Sequence, residues 1–483
     1  MKITQKFLTN ALPYATFYHG DAPMTDALWQ SYEYHAEAGV SFDSRTITDG
    51  ELFVPLQGTA CDGHDFIEMA LCNGACGSLV SAQSLMRYQA LPAGCKAHKL
   101  FIVVPDVQTA LCDLACAWRA CFTCPVVGIT GSLGKTSTKE MLRSILIAAA
   151  VDAYVSFKNY NNVLGVSYNL LRVPSSAKTI VLEMGINDVG EMHQLVNLVR
   201  PTIGVITCVA HVHTEGLGNS LAAVAQEKCE IFSQFTPDDV GIVYGDQQSL
   251  ANRIYPHKIA FFGARKRNQV HVRHVRTIVG PDGLFMTEFT LYWFGQQASV
   301  CMQGNHPSVV HNAMAASTAA YFLQIPLGAV VAGLESYRGT KSRFEVKKIK
   351  NNRGMILDDC YNAGPESMRA ALQAFATFTT HGPKIAVLGD MLELGSQELR
   401  WHRAIGRFIA RRVAHVDRLI LVGKRACVMR DVVPASLLCD CVDDWQGAAT
   451  VLENLLEGQS NAVVLVKASH GMHLDQVVNI LAE

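Results

Sequence analysis

The feature that most constrains this chain is an apolar run, Val126 to Thr130, that breaks into a glycine turn and then enters a helical pattern. Glycines let backbone N–H groups approach a polyphosphate, and the N-terminus of the helix adds positive partial charge. A lysine and a threonine at the start of the helix suit the outer phosphates and Mg²⁺. The stretch therefore predicts a phosphate loop for a nucleoside triphosphate, made of Gly131, Ser132, Leu133, Gly134, Lys135, Thr136 and Ser137.

The loop is shorter than the usual phosphate-binding pattern. That pattern has a glycine five residues before Gly134, where this chain has Ile129, so Gly131 makes the first turn. A chance Gly-Lys-Thr at a strand-to-helix turn is the competing interpretation. The strand before the turn and the helix after it favour the phosphate loop.

The bulk composition limits the kinds of partner. The 483 residues suggest about three domains of ordinary size. The 41 basic and 42 acidic residues leave a net charge of −1, so no global field attracts nucleic acid or an anionic membrane. An anionic substrate must therefore be held by local groups.

The fifteen cysteines are an odd number scattered along the chain, which is typical of reduced thiols in a cytoplasmic protein. A zinc site is the alternative for the densest cluster, but no second close pair follows it, so buried thiols are favoured. The densest cluster of cysteines is Cys112, Cys116, Cys121 and Cys124.

We find neither a signal-peptide core nor an apolar run long enough to span a bilayer, and we expect a soluble protein.

The order of apolar and helical segments predicts an α/β protein of three domains. A small mixed domain is expected at 1–106, and a central, doubly wound sheet like that of P-loop ATPases at 107–324. A Rossmann-like sheet is expected at 325–483. Strands that alternate with helices favour parallel sheets, whose ligands lie at the carboxyl ends of the strands. The clearest strand candidates are Val126 to Ile129, Ile180 to Leu182, Ile203 to Ile206, Val240 to Val243, Leu419 to Val422 and Val463 to Val466.

Several polar side chains follow the central strands. Glu183 ends a buried strand and suits Mg²⁺, although a carboxylate that caps the next turn is the alternative. Asn161 and Asn162 suit a substrate or an ordinary turn equally well. His213 lies in a stretch that resembles a metal site, although a single set of this kind is usually a polar loop, and Lys228 is best interpreted as a solvated helix charge.

The two outer domains contribute weaker candidates. Ser44 and Arg45 suit a phosphate or a uracil edge, but the pattern also fits a surface turn. Asp359 ends a predicted strand and suits ribose hydroxyls, and Arg343 is placed to reach a phosphate across a cleft.

In combination these stretches resemble the Mur ligases, the ATP-dependent amide-forming enzymes of bacterial cell-wall precursor synthesis. The resemblance covers nearly the whole chain, and its specificity comes from the fixed order of the motifs. They are the phosphate loop, Asn159 to Asn162, Glu183 to Gly185, His213 to Glu215, Lys228 to Ile231 and Asp358 to Ala363.

The resemblance implies roles for individual residues. Thr136 and Glu183 would serve one Mg²⁺ and His213 a second, while Lys228 would carry a carbamate. Lys135, Lys228 and His213 would be catalytic. The nucleotide contacts would include Asn312, Arg343 and Asp359, and the uridine diphosphate contacts Ser44 and Arg45.

Within the family, the resemblance is greatest to the member that joins D-alanyl-D-alanine to UDP-N-acetylmuramoyl-tripeptide through an acyl phosphate, and we expect a monomer. The Asp-x-Pro-Arg motif of the tripeptide-forming member is not found in this sequence. That member, a folylpolyglutamate-type synthase and a P-loop ATPase switch are the alternatives. The chain departs from the family pattern at Leu133, between His306 and Asn312, at Gly364 and at 467–470.

Overall fold

The computed structural model describes residues 4–32, 39–58, 61–212, 214–218, 220–279, 285–413 and 416–483. Within these residues the chain forms three sheets, each covered by helices. We call the regions built on these sheets the N-terminal, central and C-terminal domains.

The N-terminal domain has a mixed sheet in the order β2-β1-β6-β5-β4-β3 within the described residues. Strands β3 to β6 run parallel, and β1 pairs antiparallel with β6. The strands are β1 Thr16–His19, β2 Ala22–Pro23, β3 Val40–Ser41, β4 Leu52–Phe53, β5 Gly77–Ser81 and β6 Leu100–Val104. The helices are α1 Gln5–Ala11, α2 Asp26–Tyr32, α3 Ile67–Cys72, α4 Leu85–Ala90, α5 Ala93–Lys96 and α6 Val107–Arg119, the last of which runs on towards the central domain.

The central sheet has the order β15-β14-β13-β12-β11-β10-β7-β9-β8 in the described part of the chain. Its strands are β7 Val126–Thr130, β8 Ala153–Val155, β9 Thr179–Glu183, β10 Ile203–Ile206, β11 Val240–Tyr244, β12 Lys258–Phe262, β13 Val270–Val279, β14 Phe285–Trp293 and β15 Gln296–Gln303. Its helices are α7 Lys135–Ala148, α8 Val163–Leu171, α9 Glu191–Val199, α10 Leu221–Cys229, α11 Gln248–Ala251, α12 Ser308–Phe322 and α13 Leu327–Ser336.

Both faces of the parallel part of this sheet are buried, as predicted for a doubly wound sheet. Val126 and Val127, neighbours in β7, belong to two different apolar cores because successive side chains of a strand point to opposite faces. The predicted parallel pattern does not extend to β13, β14 and β15, which form an antiparallel extension of the sheet.

The C-terminal sheet has the order β16-β17-β21-β18-β19-β20 among the described residues, with an antiparallel edge strand, β16. The other strands are parallel, and all of them except the half-exposed edge strand β20 have side chains in the buried cores on both faces of the sheet. The strands are β16 Glu345–Ile349, β17 Gly354–Asp358, β18 Lys384–Gly389, β19 Arg418–Val422, β20 Leu438–Val442 and β21 Ala462–Lys467. The helices are α14 Pro365–Ala376, α15 Glu398–Arg412, α16 Trp445–Leu456 and α17 Asp475–Leu481.

The topology places the phosphate loop in the middle of the central sheet. Strand β7 lies between β9 and β10, and all three run parallel. Ile129 pairs with Glu183 on one side and with Val205 on the other. The loop after β7 therefore starts beside the predicted metal ligand.

In the parts of the chain that the structure describes, we find no helix that combines the length and the apolar character needed to cross a bilayer.

Candidate active site

The phosphate loop has a backbone that only glycine allows at two positions. Gly131 and Gly134 have φ angles of 144° and 82°. A Cβ atom on Gly131 would lie 1.9 Å from Oγ1 of Thr207, and one on Gly134 would lie 2.3 Å from Oδ1 of Asn312. Helix α7 then begins without a side-chain cap, so its first N–H groups remain available to an anion.

Strand β10 and the segment after it hold the loop in place. The Ser132 N–H donates to the carbonyl of Cys208 at 2.8 Å. The Thr207 hydroxyl donates to the carbonyl of Leu133 at 2.5 Å. The loop shape therefore depends on backbone groups rather than on the side chain of Leu133, the residue that departs from the family pattern.

The side chain of Lys135 folds back into the phosphate loop that precedes it. Its Nζ donates to the carbonyl of Gly131 at 2.9 Å. Burial lowers the pKa of Lys135, and the nearby Arg343 guanidinium lowers it further, while Glu183 acts in the opposite direction. Two cations therefore converge on one region, which favours an anionic ligand there.

The carboxylate of Glu183 is almost fully buried beside Thr136. Its Oε1 accepts hydrogen bonds from the Thr136 hydroxyl at 3.1 Å and from Nδ2 of Asn161 at 2.8 Å. Its Oε2 is buried without a hydrogen-bond partner among the described residues. A buried carboxylate oxygen of this kind is costly unless a cation meets it.

Lys139 is a functional candidate that the sequence reasoning did not single out. The residue is fully buried, and its Nζ donates to the carbonyls of Ser156 at 2.9 Å and Lys158 at 2.6 Å. The same Nζ lies 3.8 Å from Oε2 of Glu183. The sequence could have indicated Lys139 through its position one helical turn after Lys135, because residues four apart share a helix face.

Lys228 contradicts the interpretation of a solvated helix charge. Only 2% of the residue is exposed, because helix α10 turns this side chain towards the core. Burial lowers the pKa of Lys228 to about 7, and the charge of Lys135 acts in the same direction. An apolar neighbourhood and a second lysine both disfavour an ammonium.

The C-terminal domain supplies the facing wall of the site. Asp359 follows β17 and pairs with Nζ of Lys467 at 2.7 Å, while its Oδ1 accepts from the N–H of Phe344 at 3.1 Å. Arg343 lies over the ring of Tyr361, with 3.7 Å between its Cζ and the ring centroid. The sequence assigned no role to Lys467.

A cleft of about 610 Å³ lies between the central and C-terminal domains. Most of the predicted site residues line it. Two further ones, Gly131 and Thr136, lie directly behind this surface through the contacts described above. The predicted residues that line the cleft are Ser132, Gly134, Lys135, Ser137, Asn161, Asn162, Glu183, Asn312, Arg343 and Asp359.

Asn312 and His306 approach the loop from α12 and the segment before it. Only 2% of Asn312 is exposed, and its Oδ1 has no hydrogen-bond partner among the described residues. Burial lowers the pKa of His306 to about 4, and its ring lies 4.9 Å from that of Phe344. Oδ1 of Asn312 and Nε2 of His306 are both buried without a hydrogen-bond partner among the described residues, and such polar atoms suit a polar ligand in the cleft.

Other predicted residues lie elsewhere. His213 is outside the described residues, but its neighbour His211 pairs across the domain boundary with Glu366 at 2.6 Å. Arg45 is exposed and donates three hydrogen bonds to the Asp43 carboxylate, two of them from its guanidinium, and the Ser44 hydroxyl contacts Sδ of Met69 at 3.3 Å. Neither Ser44 nor Arg45 lines the cleft.

Three family models match this chain. They are the Mur ligase middle domain at 129–320, the Mur ligase glutamate ligase domain at 342–470 and the Mur ligase family catalytic domain at 38–119. The chain belongs to the Mur ligase family.

Individual relatives cover this Mur ligase almost from end to end. The UDP-N-acetylmuramoyl-tripeptide--D-alanyl-D-alanine ligase of Bacillus subtilis is 32% identical over 454 residues, 94% of each chain. The enzyme of the same name from Escherichia coli is 33% identical and covers 92% of this chain and 93% of its own. A crystal structure of MurF from Acinetobacter baumannii aligns with a TM-score of 0.79 and 26% identity, and covers 99% of this chain and 98% of its own. The predicted family and three-domain α/β fold are thus confirmed.

Proposed function

We propose that this Mur ligase uses ATP to join D-alanyl-D-alanine to UDP-N-acetylmuramoyl-tripeptide in the synthesis of peptidoglycan precursors. The names of its relatives support this choice of substrates. The observation that carries the proposal is the cleft itself. It brings the phosphate loop of one domain within reach of Arg343 and Asp359 of another.

ATP would lie with its phosphates along the phosphate loop. The free N–H groups at the start of α7 and the Lys135 ammonium would meet the outer phosphates. Arg343 would approach from the opposite wall. Asn312 and His306 would lie beside the nucleobase of ATP, and Asp359 would lie near the ribose. Two cations on opposite sides of the transferring phosphoryl group reduce its charge, which is the main task in such chemistry.

The residues present fit Mg²⁺. Thr136 and Oε2 of Glu183, which accepts no hydrogen bond from the described residues, offer hard oxygen atoms beside the phosphate loop. No group of three or more His, Cys, Asp or Glu side chains forms a metal cluster within the described ranges, and Mg²⁺ commonly takes only one or two protein ligands together with substrate phosphates. When bound, Mg²⁺ neutralises phosphate charge. We assign Thr136 and Glu183 to one ion and His213 to a second.

Lys228 is suited to carry a carbamate. With its pKa lowered to about 7, a large part of the Nζ population is an uncharged amine at neutral pH and can add CO₂. The product replaces a buried cation by negative oxygen atoms. Those oxygens complement Lys135 and a divalent ion far better than an ammonium would.

The reaction would proceed in two steps. A carboxylate oxygen of the tripeptide attacks the γ-phosphorus of ATP, the bond to the bridging oxygen breaks, and ADP leaves. The amine of D-alanyl-D-alanine then attacks the acyl phosphate carbon, loses a proton and releases inorganic phosphate. Asn161 and Asn162 line the cleft beside Glu183, where their amides would orient the tripeptide acid. Ser44 and Arg45 would hold the uridine diphosphate at the N-terminal domain.

A phosphate-release assay tests the proposal. Full release should require ATP, Mg²⁺, UDP-N-acetylmuramoyl-tripeptide and D-alanyl-D-alanine together, with a matching peptide product by mass spectrometry. Release with ATP alone would instead support the ATPase switch. Activity with UDP-N-acetylmuramoyl-dipeptide and a single amino acid would favour the tripeptide-forming member.

We also propose that the protein works as a monomer in the cytoplasm. All fifteen cysteines are free thiols in the structure, which suits a reducing compartment. Size-exclusion chromatography with light scattering at working concentration tests the monomer directly.

A further inference from the structure

Tyr361 is a residue of the cleft to which neither the sequence nor the comparisons assign a role. Its ring lies beneath the guanidinium of Arg343, with Cζ 3.7 Å from the ring centroid. Its hydroxyl accepts a hydrogen bond from Nδ2 of Asn159 at 2.7 Å. Asn159 belongs to the central domain and Arg343 to the C-terminal side, so one side chain contacts both walls.

The backbone around Arg343 is held by two carboxylates of the C-terminal domain. Ser342 and Phe344, on either side, have φ angles of 54° and 58°, a left-handed conformation that is unfavourable for residues with a side chain. The N–H of Phe344 donates to Asp359, and the Ser342 hydroxyl donates to Asp358 at 3.0 Å. These two carboxylates fix the backbone position from which the Arg343 side chain extends.

The guanidinium of Arg343 lacks a comparable anchor. Its Nε is buried without a hydrogen-bond partner among the described residues. The stacked ring of Tyr361 is therefore the contact that sets the plane of the guanidinium, since a planar cation prefers the face of an aromatic ring. Burial, and then the charge of Arg343, lower the pKa of Lys135, which agrees with a guanidinium aimed at the phosphate loop.

We propose that Tyr361 is a positioning residue with two effects. It orients Arg343 towards the transferring phosphoryl group, and through Asn159 it links that orientation to contact between the two domains. The inference rests on the proposed function for its kinetic readout. The ring and the hydroxyl have separate tasks. The ring orients Arg343, and the hydroxyl links the C-terminal wall to the loop at 159–162.

Substitutions at Tyr361 separate these two tasks. Tyr361→Phe keeps the ring and loses the hydrogen bond, so kcat should fall by roughly 2- to 10-fold. Tyr361→Leu loses both contacts, so kcat should fall by roughly 10- to 100-fold. The KM for ATP should change far less than kcat in both variants, because the aimed guanidinium matters most in the transition state. Tyr14→Phe is the matched control, since it removes a tyrosine hydroxyl that bonds Asp113 outside the cleft, and it should leave kcat unchanged.

A double-mutant cycle shows whether Tyr361 and Asn159 act as one unit. Asn159→Ala should lower kcat about as much as Tyr361→Phe does, and the pair together should cost little more than either alone. Additive losses, or a Tyr361→Phe enzyme with the kcat of the wild type, would overturn the proposal. If Tyr361→Leu fails to fold, the cycle between Phe and Ala variants still decides.

Small-angle X-ray scattering gives a readout that does not depend on ligation. With Mg²⁺ and a non-hydrolysable ATP analogue, the radius of gyration of Tyr361→Phe should remain above that of the wild type. Equal radii would count against the coupling. Absence of ligation by the wild-type enzyme would instead reject the proposed function, and the scattering comparison would then judge Tyr361 by itself.

Discussion

The two walls of the cleft are built in different ways. On the central wall, the phosphate loop and Glu183 follow neighbouring parallel strands of one sheet, so their spacing is fixed by strand register. On the C-terminal wall, Arg343 comes from a left-handed turn that Asp358 and Asp359 hold. The central wall is therefore complete in one domain, whereas the C-terminal wall must be brought to it.

Several side-chain contacts join the two walls. Asn159 bonds Tyr361, His211 pairs with Glu366, and the rings of Phe285 and Phe378 lie 4.4 Å apart. Gly364 departs from the family pattern at this same boundary, where a Cβ atom would lie 2.9 Å from Cγ2 of Val212. The arrangement of the central wall is thus set within one domain, whereas the position of the C-terminal wall depends on how the two domains pack. Changes in the central wall should therefore be the more damaging.

The largest effect is expected at Lys135 on the central wall. Lys135→Ala removes the cation closest to the phosphate loop and should lower kcat by about 10²- to 10³-fold, the usual scale for one positioned charge stabiliser. Phosphate release measures the loss, and circular dichroism checks the fold. A rate close to that of the wild type would show that the loop does not hold the triphosphate.

Lys228 tests whether the central wall depends on a modified residue. Lys228→Met should lower kcat on the order of 10²-fold, since it cannot carry a carbamate. Carbon-13 NMR with labelled bicarbonate at pH 8 should give a carbamate signal in the wild type that the variant lacks. A carbamate signal of equal size in both proteins would place the modification on another residue.

The unmodified Lys228 also predicts a pH dependence of stability. Its pKa is about 7 in the folded protein and 10.5 ordinarily, so between these values the unfolded chain binds more protons. The free energy of unfolding contributed by this residue therefore rises with pH from 7 towards 10.5. In CO₂-free buffer, the thermal midpoint of Lys228→Met should exceed that of the wild type most at pH 7, and the difference should shrink by pH 9.

A smaller effect is expected at Arg343 on the C-terminal wall. Arg343→Lys keeps the charge but loses the planar stack on Tyr361, and should lower kcat by roughly 10-fold. Arg369→Lys, on the same domain, serves as a control and should leave kcat unaltered. A loss as large as that of Lys135→Ala would remove the contrast between the walls.

The smallest effect is expected at Arg45, outside the cleft. Its side chain is exposed and, among the described residues, pairs with Asp43 alone, so Arg45→Ala should leave the thermal midpoint unchanged. If the N-terminal domain holds the uridine diphosphate, the KM for the UDP substrate should rise several-fold while the KM for ATP stays constant. Initial rates at varied substrate measure both. A change in the KM for ATP alone would contradict the proposed role of Arg45.

Much of the parallel core could be predicted from sequence. The apolar runs at 126–129, 203–206 and 419–422 coincide with β7, β10 and β19, because a strand buried on both faces is continuously apolar. The hairpin region β13 to β15 escaped prediction, since its strands alternate exposed and buried residues and carry no helices between them.

The family, the phosphate loop and the order of the chemical motifs follow from the amino-acid sequence, because these features depend on residues adjacent in the chain. The folded structure was needed to show that Lys228 is buried, that Lys139 lies near Glu183 and that Arg343 lies over the ring of Tyr361. Burial and pairing between distant segments depend on how helices and domains pack. In the helix around Lys228, Leu221–Cys229, apolar residues are spread around the helix rather than gathered on one side, so the sequence does not reveal which side faces the core.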